Sequence, residues 1–263
     1  MVSLLDELTV LILTYNEAPN ISRTLSKLHW ADRVVVLDSF STDETTKIVR
    51  GSGLAELSQR RFDSHANQWN YGVEQVQTEW VLSLDADYQI TESLVAELRA
   101  LSPSRTIDAY YAHFAYCIEG LPLRRTLYPP RAVLFRRSRC RYEQNGHTQI
   151  LRVPGEAGSL QSPIYHDDRK PFSDWLKAQD RYAILEAQHL SDTASNEQNL
   201  ADRLRRWIVP APFLVFFYTL FVKGLILDGW RGWYYAFQRT LAEMLLSLRL
   251  VEGRLAGKDR AVI

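Results

Sequence analysis

The chain has 263 residues, enough for one large domain or one domain with an appendage, and at 46% hydrophobic it can bury a core that excludes global disorder. Its net charge of zero hides a gradient. Residues 1–100 carry 8 basic and 15 acidic side chains (−7), residues 101–200 carry 13 and 11 (+2), and residues 201–263 carry 10 and 5 (+5). The basic end is also the most aromatic, which points to an anionic surface. No nucleic-acid motif accompanies it, so nucleic acid is not an expected partner.

"MVSLLDELTVLILTYNE" places acids before its apolar run, unlike the basic n-region of a signal peptide, and the run is too short to cross a bilayer. "LTVLILTY" (8–15) reads as a buried strand, followed by a loop and a helix with Ile21, Leu25 and Leu28 on one face. "RVVVLD" (33–38) is a second buried strand, and "SFSTDETTKIVRGSG" is a polar loop opening a helix that stops at Gly51 and Gly53. "AELSQRRF" holds a short third strand and "HANQWNYGVEQVQ" a helix. "EWVLSLDAD" is a fourth strand, and "TESLVAELRAL" a helix with Thr91 as its N-cap. Strands alternating with helices predict a parallel sheet covered on both faces, with ligands binding beyond the carboxyl ends of the strands. Residues 106–166 read as shorter strands and turns, and 172–190 as a helix with Trp175, Leu176, Gln179, Tyr182, Ala183 and Glu186 in one stripe. Cys117 and Cys140 fit neither a disulfide framework nor a cysteine metal site and point to a reducing compartment.

"WIVPAPFLVFFYTLFV" (207–222) is sixteen residues without a charge, with Pro210 and Pro212 near its start and Lys223 at its end. That is borderline for a bilayer span. Further on, Trp230, Trp233, Tyr234, Phe237, Leu241, Met244, Leu245 and Leu248 keep helical spacing, with Arg231, Arg239, Glu243 and Arg249 on the other face. Residues 207–250 are therefore expected to lie on or re-enter a membrane surface, at the cytoplasmic side of an inner membrane. The plainer alternative is a helix pair packing on the rest of the chain or on a second copy in a homo-oligomer.

The chemistry concentrates at the predicted strand ends. If strand geometry continues, Asp85 and Asp87 project to the same side, and two such anions ask for a hard divalent cation, Mg2+ or Mn2+, of the kind that also grips phosphates. The plainer reading is a loop leading into the capped helix. Asp38 ends a strand where an acid can accept hydrogen bonds from a ribose or base edge. Ser39, Asn16 and Glu17 sit on the same edge, where Ser41, Thr42, Asp43 and Glu44 could simply cap the next helix. Seven arginines fall between Arg124 and Arg141, and guanidinium forks suit phosphate. Most would line a solvated hairpin; Arg131 and Arg169 are the candidates for an anionic ligand. A base for a hydroxyl acceptor could be Asp167, Asp168, Glu143 or His147.

"LTVLILTYNEAPNISRTL", "VVVLDSFSTDETTKIV" and "WVLSLDADYQI" resemble three successive motifs of family-2 glycosyltransferases. "FDSHANQWNYGV" resembles the segment before the third motif, with Gln68 and Asn70 matching. "LYPPRAVLFRR", "NGHTQILRVPG" and "YHDDRKPFSDWLKAQDRYAILEAQ" are similar to the subgroup that includes lipopolysaccharide-core glucosyltransferases, so the likeness covers about residues 8–190. The resemblance implies an α/β GT-A fold over 1–200, with a nucleotide-binding half at about 1–103, an acceptor half at about 104–200, and a helical appendage at 201–263. It implies inverting, metal-dependent transfer from a nucleotide sugar, UDP-linked by the same resemblance, to a glycan or glycolipid hydroxyl. Leu13 to Glu17, including Thr14, Tyr15 and Asn16, would hold the nucleoside together with Asp38. Asp85 and Asp87 would hold the metal and diphosphate, with His166 beside the metal. The chain departs from the family pattern at Tyr88 (often an acid), at Trp69 (often an arginine), and at Gly146–Thr148, which lacks the subgroup's usual carboxylate. A sugar-phosphate nucleotidyltransferase would want a glycine-rich basic loop after the first strand, and "TYNEAPNIS" has neither feature. A non-catalytic, membrane-associated relative of the fold is the remaining alternative.

Overall fold

The computed structural model describes residues 3–145, 148–192, 204–205 and 207–259. It divides into two compact units, Met1–Pro122 with Tyr128–Lys170, and Leu123–Leu127 with Pro171–Ile263.

The first unit is built on a seven-stranded sheet. Strands β1 (Leu8–Thr14), β2 (Val34–Asp38), β3 (Glu56–Gln59) and β4 (Trp80–Asp85) run parallel in the order β3-β2-β1-β4. They are linked by α1 (Ile21–Ser26), α2 (Thr45–Ser52) and α3 (His65–Gln75). Beyond β4 lie β9 (Arg131–Arg136), antiparallel to both neighbours, then β6 (Ile107–Ala112) and β12 (Glu156–Ser159), a parallel pair. The near-continuous apolar runs exist because both sheet faces are covered. Val10, Ile12, Val34, Val36, Leu82 and Leu84 pack with Ile21, Leu25, Val49, Leu94 and Leu98. The alternate residues Leu11, Val35 and Val81 pack on the opposite face with Trp69, Phe135 and Tyr142. Thr91 caps α4 (Glu92–Ala100) as expected, accepting from the Leu94 amide at 3.2 Å.

Parallel alignment brings the carboxyl ends of β1, β2 and β4 to one edge, with Thr14 beside Asp38 and Leu13 beside Asp85. A second sheet has the order β5 (Tyr88–Ile90), β13 (Ile164–His166), β7 (Phe114–Ile118), β8 (Leu121–Pro122). Here one expectation is corrected. The fourth strand does not continue through Asp87; it ends at Asp85, turns at Ala86–Asp87 and re-emerges as β5 in the other sheet, paired antiparallel with β13. Asp85 and Asp87 therefore flank a turn between two sheets rather than alternate along one strand. The hairpin of β10 (Arg141–Asn145) and β11 (Thr148–Arg152) completes the unit.

In the second unit, α5 (Phe172–Asp192) buries Ala183 and Leu190 with Leu246 of a long helix, Trp230–Asp259. Arg249 on the long helix reaches Asp180 of α5 at 2.6 Å, and Arg205 bridges Glu186 and Glu243. By packing, α5 groups with the C-terminal helices in the unit that holds Leu123–Leu127 and the chain from Pro171. The uncharged run forms a helix, Pro210–Phe217, then a π turn, Tyr218–Val222, and a 3-10 turn, Leu225–Asp228. Pro210 takes the first helical turn, where its missing N–H costs nothing. The long helix buries Gly232, Tyr235, Ala236, Gln238, Glu243 and Leu246, while Trp230, Tyr234, Phe237, Met244 and Leu248 are exposed.

Candidate active site

The turn after β4 carries the centre of the site. The Asp87 carboxylate lies 3.0 Å from His166 Nε2, and the Asp167 amide donates to the Asp87 carbonyl at 3.1 Å. Burial and the neighbouring Asp87 push the Asp85 carboxyl above the usual range. Burial opposes the charge of Asp87 too, but His166 overcomes it and holds Asp87 below its ordinary value. His166 is raised in turn: burial works against its charge, and Asp87 prevails. Each group thus favours the charged form of the other. His166 sits among the rings of Tyr116, Tyr128 and Tyr88, with centroids 4.9, 5.1 and 5.2 Å away, and its Nδ1 is buried without a hydrogen-bond partner among the described residues.

Tyr88, standing where the family often has an acid, is buried and shares a 2.6 Å hydrogen bond between its hydroxyl and that of Tyr128. The Arg131 guanidinium lies 4.8 Å from the centre of the Tyr128 ring. Burial disfavours its charge, yet Tyr128, Tyr88 and Asp85 together raise it above the ordinary arginine value.

On the β1–α1 loop, Lys170 pairs with Glu17. Burial, followed by the Asp87 charge, raises the Glu17 carboxyl to about 7. Asn20, which is 0% exposed, joins the pieces. Its amide nitrogen donates to Glu17 and to Asp168, both at 2.8 Å. Its oxygen accepts from Arg23 at 2.7 Å and from the Arg169 amide at 2.8 Å. Nothing in the sequence pattern distinguishes this asparagine from an ordinary loop residue.

The two adjacent acids part company. Asp167 is buried and accepts from Arg23 at 2.6 Å, from Arg169 Nε at 3.0 Å and from the Gly120 amide at 3.1 Å. Its oxygens are engaged by the fold, so its role here is to anchor β13, α1 and the turn at Gly120. Asp168 uses only Oδ1, which accepts from Asn20 and from the Lys170 amide. Its other oxygen has no hydrogen-bond partner among the described residues. Arg169 is turned toward Asp167 and Glu119.

The β2 edge forms a second group. Asp38 is fully buried and accepts from the Ser41 amide at 2.9 Å, from the Ser41 hydroxyl and from Gln59 at 2.9 Å. Asn16, at φ 53°, accepts from the Thr42 amide at 2.8 Å, while its own amide donates to the Ser41 hydroxyl at 2.8 Å. The β1–α1 and β2–α2 loops are stitched together by these bonds. Ser39 accepts from Gln68 at 3.0 Å. The Thr14 hydroxyl is buried with no partner among the described residues, and Tyr15 is exposed.

Two candidates lie elsewhere. Asn70 uses both ends of its amide on the Tyr142 backbone, at 2.9 and 3.0 Å, so it fastens α3 to β10. Glu143 is exposed on the hairpin side opposite the buried Tyr142 and pairs with Arg152 at 3.2 Å. Trp69, in place of the family's arginine, stacks on Tyr142 at 5.3 Å. His147 lies outside the described residues.

Among the described residues no three His, Cys, Asp or Glu side chains are grouped so as to hold a metal by themselves. Asp85 and Asp87 nonetheless suit part of an oxygen donor set: they are half-buried, one residue apart and mutually repelling, which a hard cation would relieve. His166 fits less well as a ligand, since its Nε2 is turned to Asp87.

In structure, the chain is similar to a mannosyltransferase from Pyrobaculum calidifontis in complex with GDP-Man and Mn2+ (TM-score 0.53, 18% identity, 95% of this chain and 87% of that one). It is also similar to residues 1–349 of S. aureus TarS in complex with UDP-GlcNAc (TM-score 0.50, 16% identity, 95% and 92%). At such identities the likeness establishes the fold, a mixed α/β GT-A architecture. In sequence, an uncharacterized glycosyltransferase of Rickettsia conorii is 29% identical over 130 residues, 49% of this chain and 45% of that protein. A relative from Rickettsia bellii is 30% identical over 108 residues, 41% and 36%. The chain spans less than half the length of these curated relatives. The family described as Glycosyl transferase family 2 matches residues 9–160, more than half of the sequence and all four parallel strands with Asp38, Asp85 and Asp87, and the chain belongs to that family.

Proposed function

We propose that the protein transfers a hexosyl group from a UDP-sugar to a hydroxyl of a cell-envelope glycan or glycolipid, such as lipopolysaccharide core, with inversion at the anomeric carbon. The observation that carries this reading is the half-buried Asp85–Asp87 turn at the carboxyl edge of a parallel sheet in a family-2 chain. Complexes of fold relatives with GDP-Man and UDP-GlcNAc support a nucleotide-sugar donor.

Asp85 and Asp87 would hold a Mg2+ or Mn2+ ion, which when bound neutralises charge growing on the departing diphosphate. The other roles fall to the chain itself. Arg131, held charged beside Tyr128 and Asp85, adds fixed positive potential to the same place without reorganisation. Asp38 keeps the Ser39–Ser41 loop in shape through Ser41, and with Asn16 it borders the nucleoside. Asp168, oriented by Asn20 and with one oxygen unpartnered, removes the acceptor proton.

The test is manganese-dependent donor turnover. UDP-sugar hydrolysis in the absence of acceptor should fall by about 10²–10³ in Asp87→Asn, with the circular dichroism of the folded chain retained. Equal rates in the two proteins would favour a non-catalytic role.

A further inference from the structure

The stretch from Trp207 to Phe237 contains only three residues with formal charge, Lys223, Asp228 and Arg231. Asp228 is turned inward: its carboxylate is 7% exposed and accepts from the Arg124 amide at 3.1 Å and from Arg124 Nε at 3.2 Å. The Arg124 side chain is 64% exposed. The charge this face presents is therefore positive.

Its apolar content is concentrated. Of the 27 exposed large hydrophobic side chains among the described residues, 13 lie in these 31 residues. A scatter of single apolar side chains is ordinary on a soluble surface; a contiguous concentration is not. The long helix extends the pattern: it buries Tyr235, Ala236 and Leu246, but two polar side chains are buried with them and large apolar ones are left outside. Glu243 and Gln238 are buried within the unit, whereas Trp230, at 85%, and Phe237 are exposed. A helix in water hides its aromatic side, so an outward aromatic side matches an apolar phase outside.

We propose that this face, including Phe213, Phe217, Val222, Leu227, Trp230 and Phe237, inserts into the interfacial layer of a bilayer that contains anionic lipid. Spanning is excluded for the Pro210–Phe217 helix by length, since eight residues rise about 12 Å against about 30 Å of hydrocarbon. Among the described residues no helix is long and apolar enough to cross a membrane. Charge selects the lipid over a second copy. A two-fold contact through this face would bring the same positively charged patch together from both copies, whereas anionic headgroups complement Lys223, Arg231 and Arg124. Tryptophan and tyrosine suit the depth at which apolar chains give way to water. The inference does not depend on the reading of the donor site.

The full chain is tested by flotation with vesicles of phosphatidylcholine alone and of phosphatidylcholine with about one third phosphatidylglycerol. It should float with the anionic vesicles and about tenfold less with the neutral ones. The double variant Phe213→Glu, Leu227→Glu should lose flotation while keeping the wild-type circular dichroism and melting temperature, because both side chains are already exposed. Lys223→Glu with Arg231→Glu should lose the preference for anionic lipid. The proposal is overturned if the wild type stays unfloated with both vesicle types, or if the Phe213/Leu227 variant floats as well as the wild type. It is equally overturned if the chain dimerises in solution through this face, ignores vesicles, and becomes monomeric in that variant.

Discussion

At the scale of single residues, the division of labour between Asp167 and Asp168 is the sharpest outcome. Both acids stand in one dipeptide, but two guanidinium groups and a backbone amide take up the first, while the second keeps an oxygen free. Asp168→Asn should lower transfer by about 10²–10⁴ in kcat with a normal melt. Asp167→Asn should act on folding instead, costing about 3 kcal/mol in chemical denaturation. That is the lower end for breaking a buried ion pair, because Arg23 and Arg169 are each about a third exposed. Glu17 gives a pH signature. Its carboxyl titrates at about 7 in the folded chain against an ordinary 4.5, so the folded state binds this proton more tightly than the unfolded state does. The stability it confers is complete below pH 4.5 and is lost as pH rises toward 7. Melts of wild type and Glu17→Gln across that window should therefore show the wild type falling relative to the variant. Asp38, Asp85 and Asp87 were legible as a group because each interrupts an apolar run at a strand end. Asn20 was not, because its importance lies in partners from other elements rather than in any local pattern.

Among the elements, α3 and the β10–β11 hairpin show a helix fastened to a strand by a side chain. Asn70 satisfies one donor and one acceptor of Tyr142, and Trp69 stacks on the same residue. Asn70→Leu should cost about 1–3 kcal/mol, since it leaves a backbone donor and acceptor unpaired; faster hydrogen exchange at the Tyr142 amide would locate the damage. In the second unit, Gly232 marks where the long helix crosses the Leu225 turn. A Cβ there would lie 1.8 Å from the Leu225 carbonyl oxygen, too close for any side chain without backbone movement. Gly232→Ala should lower stability by about 1–3 kcal/mol, whereas Gly253→Ala in the same helix, with open space around it, should not. Helix periodicity revealed the long helix and its aromatic stripe. It carried no information on which side the unit would bury, because Glu243 becomes tolerable inside only when Arg205 arrives to pair with it.

At the scale of the molecule, the charge gradient along the chain separates two kinds of surface. The acidic N-terminal part of the chain contributes the carboxylates of the candidate site, and the basic C-terminal part carries the aromatic face. If the carboxylate edge binds a metal–nucleotide pair, UDP-sugar with Mn2+ should raise the melting temperature more than the sum of the two added singly. A saturating donor at a hundred times its Kd corresponds to about 2.7 kcal/mol. GDP- and dTDP-sugars should give smaller shifts, and equal shifts from all three would remove the preference for uridine.

Fold class, the succession of strands and helices over the first hundred residues, the Thr91 cap and the acids at the strand ends were determined by the sequence alone, because hydrophobic periodicity and capping are local properties read within a few residues. What only the tertiary structure decided is which of those acids retains a free oxygen, that the strand breaks between Asp85 and Asp87, and that α5 belongs with the C-terminal helices. Each of these depends on groups far apart in the chain, such as Arg23 with Asp167 or Asp180 with Arg249, and a charge's role is set by the neighbours that reach it once folded.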